Sequence, residues 1–125
     1  MQMSVIALTL SSSWLVLGCG GSYPVPTQDL AEAQSAQRSA VELGAASQPK
    51  AQLHLQLAQE QITKASAAMK DGDNERADSL LRRARSDAEL AIALTRDQSA
   101  KTDSQKATDQ SNAQRTTNAN QGAAQ

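Results

Sequence analysis

The feature that most constrains the fold is a pair of matching apolar stripes. The first consists of Ala51, Leu55, Ala58, Ile62, Ala65 and Met69, and the second of Ala77, Leu81, Ala84, Ala88, Ala91 and Thr95. Alternating steps of four and three residues place every member of a stripe on one face of an α-helix. Between the stripes, Gly72 is a helix stop and Asp73 a helix N-cap. The sequence therefore predicts an antiparallel helical hairpin.

A shorter and more weakly patterned helix is expected before the hairpin, between Thr27 and Gly44. Its apolar positions are Ala33, Ala36, Ala40 and Leu43. Ser47 and Pro49 open the following helix, because proline is tolerated in a first helical turn. The expected fold class is all-α, an antiparallel hairpin with a shorter N-terminal helix, which makes two to three helices.

Leucines flank the two stripes of the hairpin. They are Leu53, Leu57, Leu80, Leu90 and Leu94. We expect the first helix, or another protomer, to pack there, and these residues form the candidate partner-binding face. The chain has no Phe, one Trp and one Tyr, so its hydrophobic content is mostly Ala with some Leu. Such a core buries little area per residue, and self-association or an envelope protein partner would help to stabilise it.

Charged residues on the third predicted helix are spaced to neutralise each other. The pairs at i,i+4 spacing are Asp78 with Arg82, Arg83 with Asp87, and Arg85 with Glu89. This spacing favours a solvated, self-neutralised face over an anionic partner such as phospholipid. The net charge of −1 gives no electrostatic footprint for nucleic acid.

The sequence predicts no enzyme. It has one His and one Cys, and no HExxH, CxxC, phosphate-loop or GxSxG motif. His54 is expected to flank the stripe rather than bind a metal, since a metal needs several ligands. The Asp-Gly-Asp at 71–73 lacks the remaining acidic positions of a calcium loop. We expect no catalytic residue, no metal site and no small-molecule substrate.

Residues 1–18 have the anatomy of an export leader, with no charged side chain and an apolar stretch followed by small residues. A transmembrane helix is disfavoured, because Thr9 and residues 11–13 interrupt an apolar run that is shorter than the roughly 20 residues that span a bilayer. The segment Val16-Leu17-Gly18-Cys19 resembles the lipobox of bacterial lipoproteins. Two alternatives remain open: Cys19 is an incidental thiol, or the protein is exported without lipid.

The lipobox resemblance implies cleavage between Gly18 and Cys19 and a covalent diacylglycerol and N-acyl lipid on Cys19, with no other cofactor. Two or three acyl chains hold a protein firmly on membrane lipid. Gly20 stands where an Asp would imply retention in the inner membrane. For a Gram-negative source, the resemblance therefore implies a lipid-anchored protein on the periplasmic face of the outer membrane.

The chain divides into four expected segments: a leader at 1–18, a lipidated tether at 19–26, a helical module at 27–97 and a low-complexity polar tail at 98–125. The tether combines flexible glycines with two prolines. The tail contains no Leu, Ile, Val, Met or aromatic residue. We expect it to be mostly disordered from Gln98 onward, with the third helix running on to about Lys106 at most, and to act as a flexible arm or a neutral tail.

The module at 27–97 is similar to the small periplasmic lipoproteins of the domain of unknown function 4398 family. The segments that carry the resemblance are Gly44-Ala45, Pro49, Leu55 to Ala65, Asp71 to Asp73 and Ala77 to Ala93. The family implies an envelope location and a helical hairpin, and it transfers no catalytic residue. The expected role is structural, or that of an adaptor in the cell envelope. The alternative is a helical binding module serving as accessory subunit of an outer-membrane or efflux complex.

Overall fold

A computed structural model describes residues 22–123 of the chain. Helix α1 spans Thr27–Glu42, a 3₁₀ turn spans Ala45–Ser47, α2 spans Pro49–Lys70 and α3 spans Asn74–Ala123. No strand occurs in this range, and the all-α fold with a short N-terminal helix is confirmed. The predicted leader, the cleavage position at Gly18 and the lipidation site at Cys19 lie outside the described residues.

The break between α1 and α2 is formed by a glycine and a proline, as predicted. Gly44 has a φ of 86°, which is a left-handed conformation that only glycine adopts readily. Its N–H donates to the carbonyl of Val41 at 2.9 Å and closes the end of α1. Gln48 is extended, as expected of a residue before proline, and Pro49 is the first residue of α2.

The turn between α2 and α3 is a Schellman motif built on Gly72, whose φ is 78°. The N–H of Asp73 donates to the carbonyl of Ala68 at 2.9 Å, and that of Gly72 to the carbonyl of Met69 at 3.2 Å. The Asp73 carboxylate then accepts the N–H of Arg76 at 3.3 Å and caps α3. The predicted stop and cap are both confirmed, and α2 and α3 are antiparallel.

Both predicted stripes form the core of the hairpin. Every member of the α3 stripe is buried, and so is every member of the α2 stripe except Met69, which is partly buried against the core. Leu81 is the one large side chain with no exposed surface among the described residues. Because most core positions are Ala, the helices contact each other over small side chains.

Helix α1 packs along one side of the hairpin, mainly against α3. Ala33 and Ala40 are fully buried there, whereas Leu43 of the same predicted stripe is exposed. Two polar contacts mark this side: Glu32 pairs with Arg85 of α3, and the amide of Gln37 donates to the side chain of Gln59 on α2. The short connections make the three helices run up, down and up, so that α1 and α3 begin at the same end.

The polar tail differs from the expectation of disorder. Helix α3 continues without a break to Ala123, although every side chain from Arg96 to Ala123 is exposed. Alanine and the long polar residues of this segment have adequate helix propensity, and each backbone bond reaches only four residues along the chain. The helix therefore extends past the core, whereas the sequence reasoning required apolar burial for order.

Candidate functional site

The chain preceding α1 is bound to the start of α3 through Tyr23. The Tyr23 hydroxyl donates to Oδ2 of Asp78 at 2.7 Å, and the amide of Asn74 donates to the Tyr23 carbonyl at 2.9 Å. Arg82 donates through Nε to Oδ1 of Asp78 at 3.2 Å and also lies 3.5 Å from the Tyr23 hydroxyl. We call Tyr23, Asn74, Asp78 and Arg82 the clasp.

The Asp78 carboxylate is the centre of the clasp, with 7% of the residue exposed. Hydrogen bonding by Arg82, and secondarily by Tyr23, lowers the pKa of Asp78 below its ordinary value. The same carboxylate accepts a hydrogen bond from the Tyr23 hydroxyl, which raises the pKa of Tyr23. It also raises the pKa of Arg82. Asp78 therefore favours the protonated forms of both Tyr23 and Arg82, whereas Arg82 partly opposes the rise in the pKa of Tyr23.

The clasp changes the interpretation of the predicted tether at 19–26. Pro26 is buried, and the N–H of Thr27 donates to the carbonyl of Val25 at 2.9 Å. Residues 23–26 therefore lie against the bundle and do not act as a free spacer. The sequence reasoning missed Tyr23; the available signal was a single tyrosine placed next to a proline in a chain with almost no aromatic residues.

Two of the three predicted ion pairs on α3 are formed, Asp78 with Arg82 and Arg85 with Glu89. The predicted partner of Arg83 is engaged elsewhere: Asp87 lies 2.9 Å from Nδ1 of His54 and accepts the amide of Gln61 at 2.7 Å. His54 flanks the core, as predicted. This polar cluster ties α2 to α3 on the side of the hairpin that faces away from α1.

The five predicted flanking leucines do not form one continuous surface. Leu80 and Leu94 are partly buried and pack against the two ends of the core, and Leu57 is half-buried. Leu53 and Leu90 are 55% and 42% exposed. Since α1 covers the side that carries Gln59 and Arg85, the most exposed pair lies away from it.

An open cleft runs beside the clasp and is lined by Tyr23, Gln28 and Arg82, among others. Among residues 22–123, no group of three His, Cys, Asp or Glu side chains is placed to hold a metal ion. Within the same range, no helix has both the length and the apolar character needed to cross a membrane.

Comparison with known families places most of the described helices in a family. The family described as a domain of unknown function (DUF4398) matches residues 28–107, which is more than half of the chain. The match includes all three helices of the bundle and extends into the exposed part of α3. No curated protein and no solved structure matches the chain significantly. The chain therefore belongs to the DUF4398 family.

Proposed function

We propose that this protein is a bacterial lipoprotein of the cell envelope, anchored by acyl chains on Cys19. The observation that carries the proposal is the position of Cys19, directly after an uncharged apolar leader and Gly18. A thiol in that position is the acceptor of diacylglycerol in lipoproteins, and two or three chains give an anchor that does not dissociate readily.

The architecture of the described residues supports this proposal. Among the described residues, Tyr23 already contacts α3, and it stands only four positions after Cys19 in the sequence. A leader followed at once by a small helical module is the arrangement expected of a protein that works at the membrane surface. The proposed site of action is the periplasmic face of the outer membrane, on the basis of Gly20 and a Gram-negative source.

The proposed role is that of a structural element or adaptor without catalytic activity. The module offers a three-helix bundle and a helix that continues well beyond it, with all side chains from Arg96 to Ala123 facing solvent. Such a shape suits a protein that holds something at a distance from its anchor.

Intact mass spectrometry of the protein extracted from membranes of its host tests the anchor. A mature chain that starts at Cys19 and carries two or three acyl chains is the expected result. Cys19→Ser should accumulate as an unlipidated precursor, and Ser22→Ala serves as the matched control that leaves processing intact. An unmodified thiol in the wild-type protein would refute the proposal.

The exposed leucines favour one alternative, a binding module that serves as accessory subunit of an outer-membrane or efflux complex. Leu53 on α2 and Leu90 on α3 are each exposed, and exposed apolar side chains of this size can contact a partner. Crosslinking in the host should then capture a partner with the wild-type chain but not with Leu53→Gln/Leu90→Gln. Arg96→Gln, an exposed change beyond the core, is the control. Identical crosslinks in all three proteins would exclude this role.

A further inference from the structure

The clasp determines which end of the bundle is nearest the N-terminal anchor. Tyr23 contacts Asn74, Asp78 and Arg82, which belong to the first turns of α3. Helix α1 also begins at this end, and the turn at 71–73 lies here. The opposite end carries the 3₁₀ turn Ala45–Ser47.

The distance between Cys19 and this end of the bundle is limited by chain length. Four residue steps separate Cys19 from Tyr23, and a fully extended chain covers about 14 Å in that number of steps. If residues 23–26 were free, the first fixed point would be Thr27, and the reach would about double. The clasp therefore shortens the connection and keeps the start of α3 close to residue 19.

Helix α3 is long compared with that connection. Its 50 residues correspond to about 75 Å at 1.5 Å per residue. The part beyond Thr95 accounts for about 42 Å of this length. Because α3 starts at the clasp, its C-terminal end is the point of the described chain most distant from the anchor.

The projecting part of α3 has little that would attract it to a lipid surface. Residues 96–123 contain no Leu, Ile, Val, Met or aromatic side chain, so they have no apolar face to insert. Their charges nearly balance: the basic residues are Arg96, Lys101, Lys106 and Arg115, and the acidic residues are Asp97, Asp103 and Asp109. Attraction to anionic lipid needs a basic cluster, which this segment lacks.

We propose that the clasp orients the module on its membrane, with the turn at 71–73 next to the lipid and α3 pointing away from it. The proposal rests on the lipidation of Cys19 argued above. The clasp acts as a positioning device: it shortens the connection between Cys19 and the bundle and thereby limits how the bundle can turn relative to the lipid. The free end of α3 is thereby held away from the lipid surface.

Energy transfer to lipid tests this orientation with the full-length protein purified from host membranes. The protein is reconstituted into phosphatidylethanolamine–phosphatidylglycerol vesicles that contain an acceptor dye on a fraction of the headgroups. A donor is attached to Asp71→Cys in one sample and to Gln121→Cys in another, since the lipidated Cys19 does not react with maleimide. The expected result is near-complete transfer from position 71 and near-background transfer from position 121.

Breaking the clasp should remove this difference. In Tyr23→Ala, residues 20–26 become a longer tether, so transfer should fall at position 71 and rise at position 121. Glu60→Gln, which breaks the exposed pair of Glu60 with Lys64 on α2, is the matched control and should keep the wild-type pattern. Circular dichroism of each variant checks that the helices remain folded.

The outcomes separate the two proposals. Equal transfer from both positions in a protein whose mass shows the acyl chains would overturn the orientation and leave the anchor standing. A wild-type pattern in Tyr23→Ala would overturn the role of the clasp. A mass without acyl chains would refute the anchor, and the orientation relative to lipid would fall with it.

Discussion

The two parts of α3 show how differently one continuous helix can be held. Between Asn74 and Thr95, a residue of the apolar stripe is buried at every third or fourth position. Between Arg96 and Ala123, every side chain is exposed. The backbone geometry is the same in both parts, so tertiary burial does not determine where the helix ends.

The exposed part is supported by local interactions alone. Lys101 pairs with Asp97 at 2.7 Å, and the amide of Gln105 donates to Asp109 at 2.9 Å. Pairs of this kind stabilise a helix by about 0.2–0.5 kcal/mol each. The hydroxyl of Thr102 donates to the carbonyl of Gln98 four residues earlier, a contact that slightly weakens a helix. The bundle should therefore unfold as one cooperative unit, whereas the projecting part opens locally and at much lower cost.

The largest expected effect comes from Leu81, which has no exposed surface. Leu81→Ala should lower the free energy of unfolding by about 2–5 kcal/mol, because a cavity remains between the helices. Urea denaturation followed by circular dichroism measures it. If Leu81→Ala proves too unstable to fold, Leu81→Met can be compared with the exposed Leu53 in its place. Leu81→Met is expected to cost less than about 1.5 kcal/mol. Leu53→Ala should change stability by no more than about 0.5 kcal/mol. Equal effects at both leucines would contradict the assignment of the core.

The glycines offer a second comparison, with effects of opposite sign. Gly72 has a positive φ and nothing within 4 Å of an added Cβ, so Gly72→Ala should cost about 1–2 kcal/mol through backbone strain alone. Gly122 lies in the regular helix, and Gly122→Ala should strengthen that helix locally by up to about 1 kcal/mol. The denaturation midpoint should fall for the first variant and stay unchanged for the second. A rise for the second variant would mean that the projecting helix is coupled to the bundle.

The clasp should be stable over a defined range of pH. The pKa of Asp78 is lowered, so its contribution is present above the ordinary value of about 3.9 and is lost as the pH falls through the lowered pKa. The pKa of Tyr23 is raised, so its contribution is present below about 10 and is lost as the pH rises through the raised pKa. The clasp should therefore persist between about pH 4 and pH 10.

Ultraviolet titration measures the pKa of Tyr23 directly, because the chain has a single tyrosine. The Tyr23 midpoint should lie above its ordinary value in the wild-type protein and return toward it in Asp78→Asn. A midpoint at the ordinary value in the wild-type chain would show that Tyr23 does not bind α3 in solution.

The smallest expected effect is that of shortening α3. Deletion of residues 108–125 leaves the segment matched by the family intact, and it should change the free energy of unfolding of the bundle by less than about 0.5 kcal/mol. Total helical signal should fall only in proportion to the residues removed. A larger loss of stability would show that the projecting helix has partners, for example in a second copy of the chain.

Much of the bundle could be read from residue spacing. The two stripes predicted the buried faces of α2 and α3. The one difference is at the end of α2, where Ala68 is buried and Met69 is only partly buried. Gly44, Pro49, Gly72 and Asp73 predicted the breaks, because each has a backbone or capping preference that acts locally. The C-terminal extent of α3 differs from the prediction, because low apolar content predicts disorder whereas local backbone hydrogen bonds keep this segment helical.

The contacts around Tyr23 could not be read in the same way. Tyr23 and Asp78 are 55 positions apart, and no local preference connects a residue before α1 with the side of α3. Similarly, Asp87 has a candidate partner in Arg83 at helical spacing, yet packing places His54 and Gln61 of α2 beside it.

The sequence by itself determined the helices, their breaks and their buried faces, and it contains the cysteine on which the proposed anchor depends. These features follow from backbone preferences and from side-chain periodicity, which act over a few residues. Only the tertiary structure decided that α1 lies on the side of Arg85 and that Tyr23 closes onto Asp78. Those choices depend on how the helices pack, because packing alone brings residues that are distant in the chain within hydrogen-bonding reach.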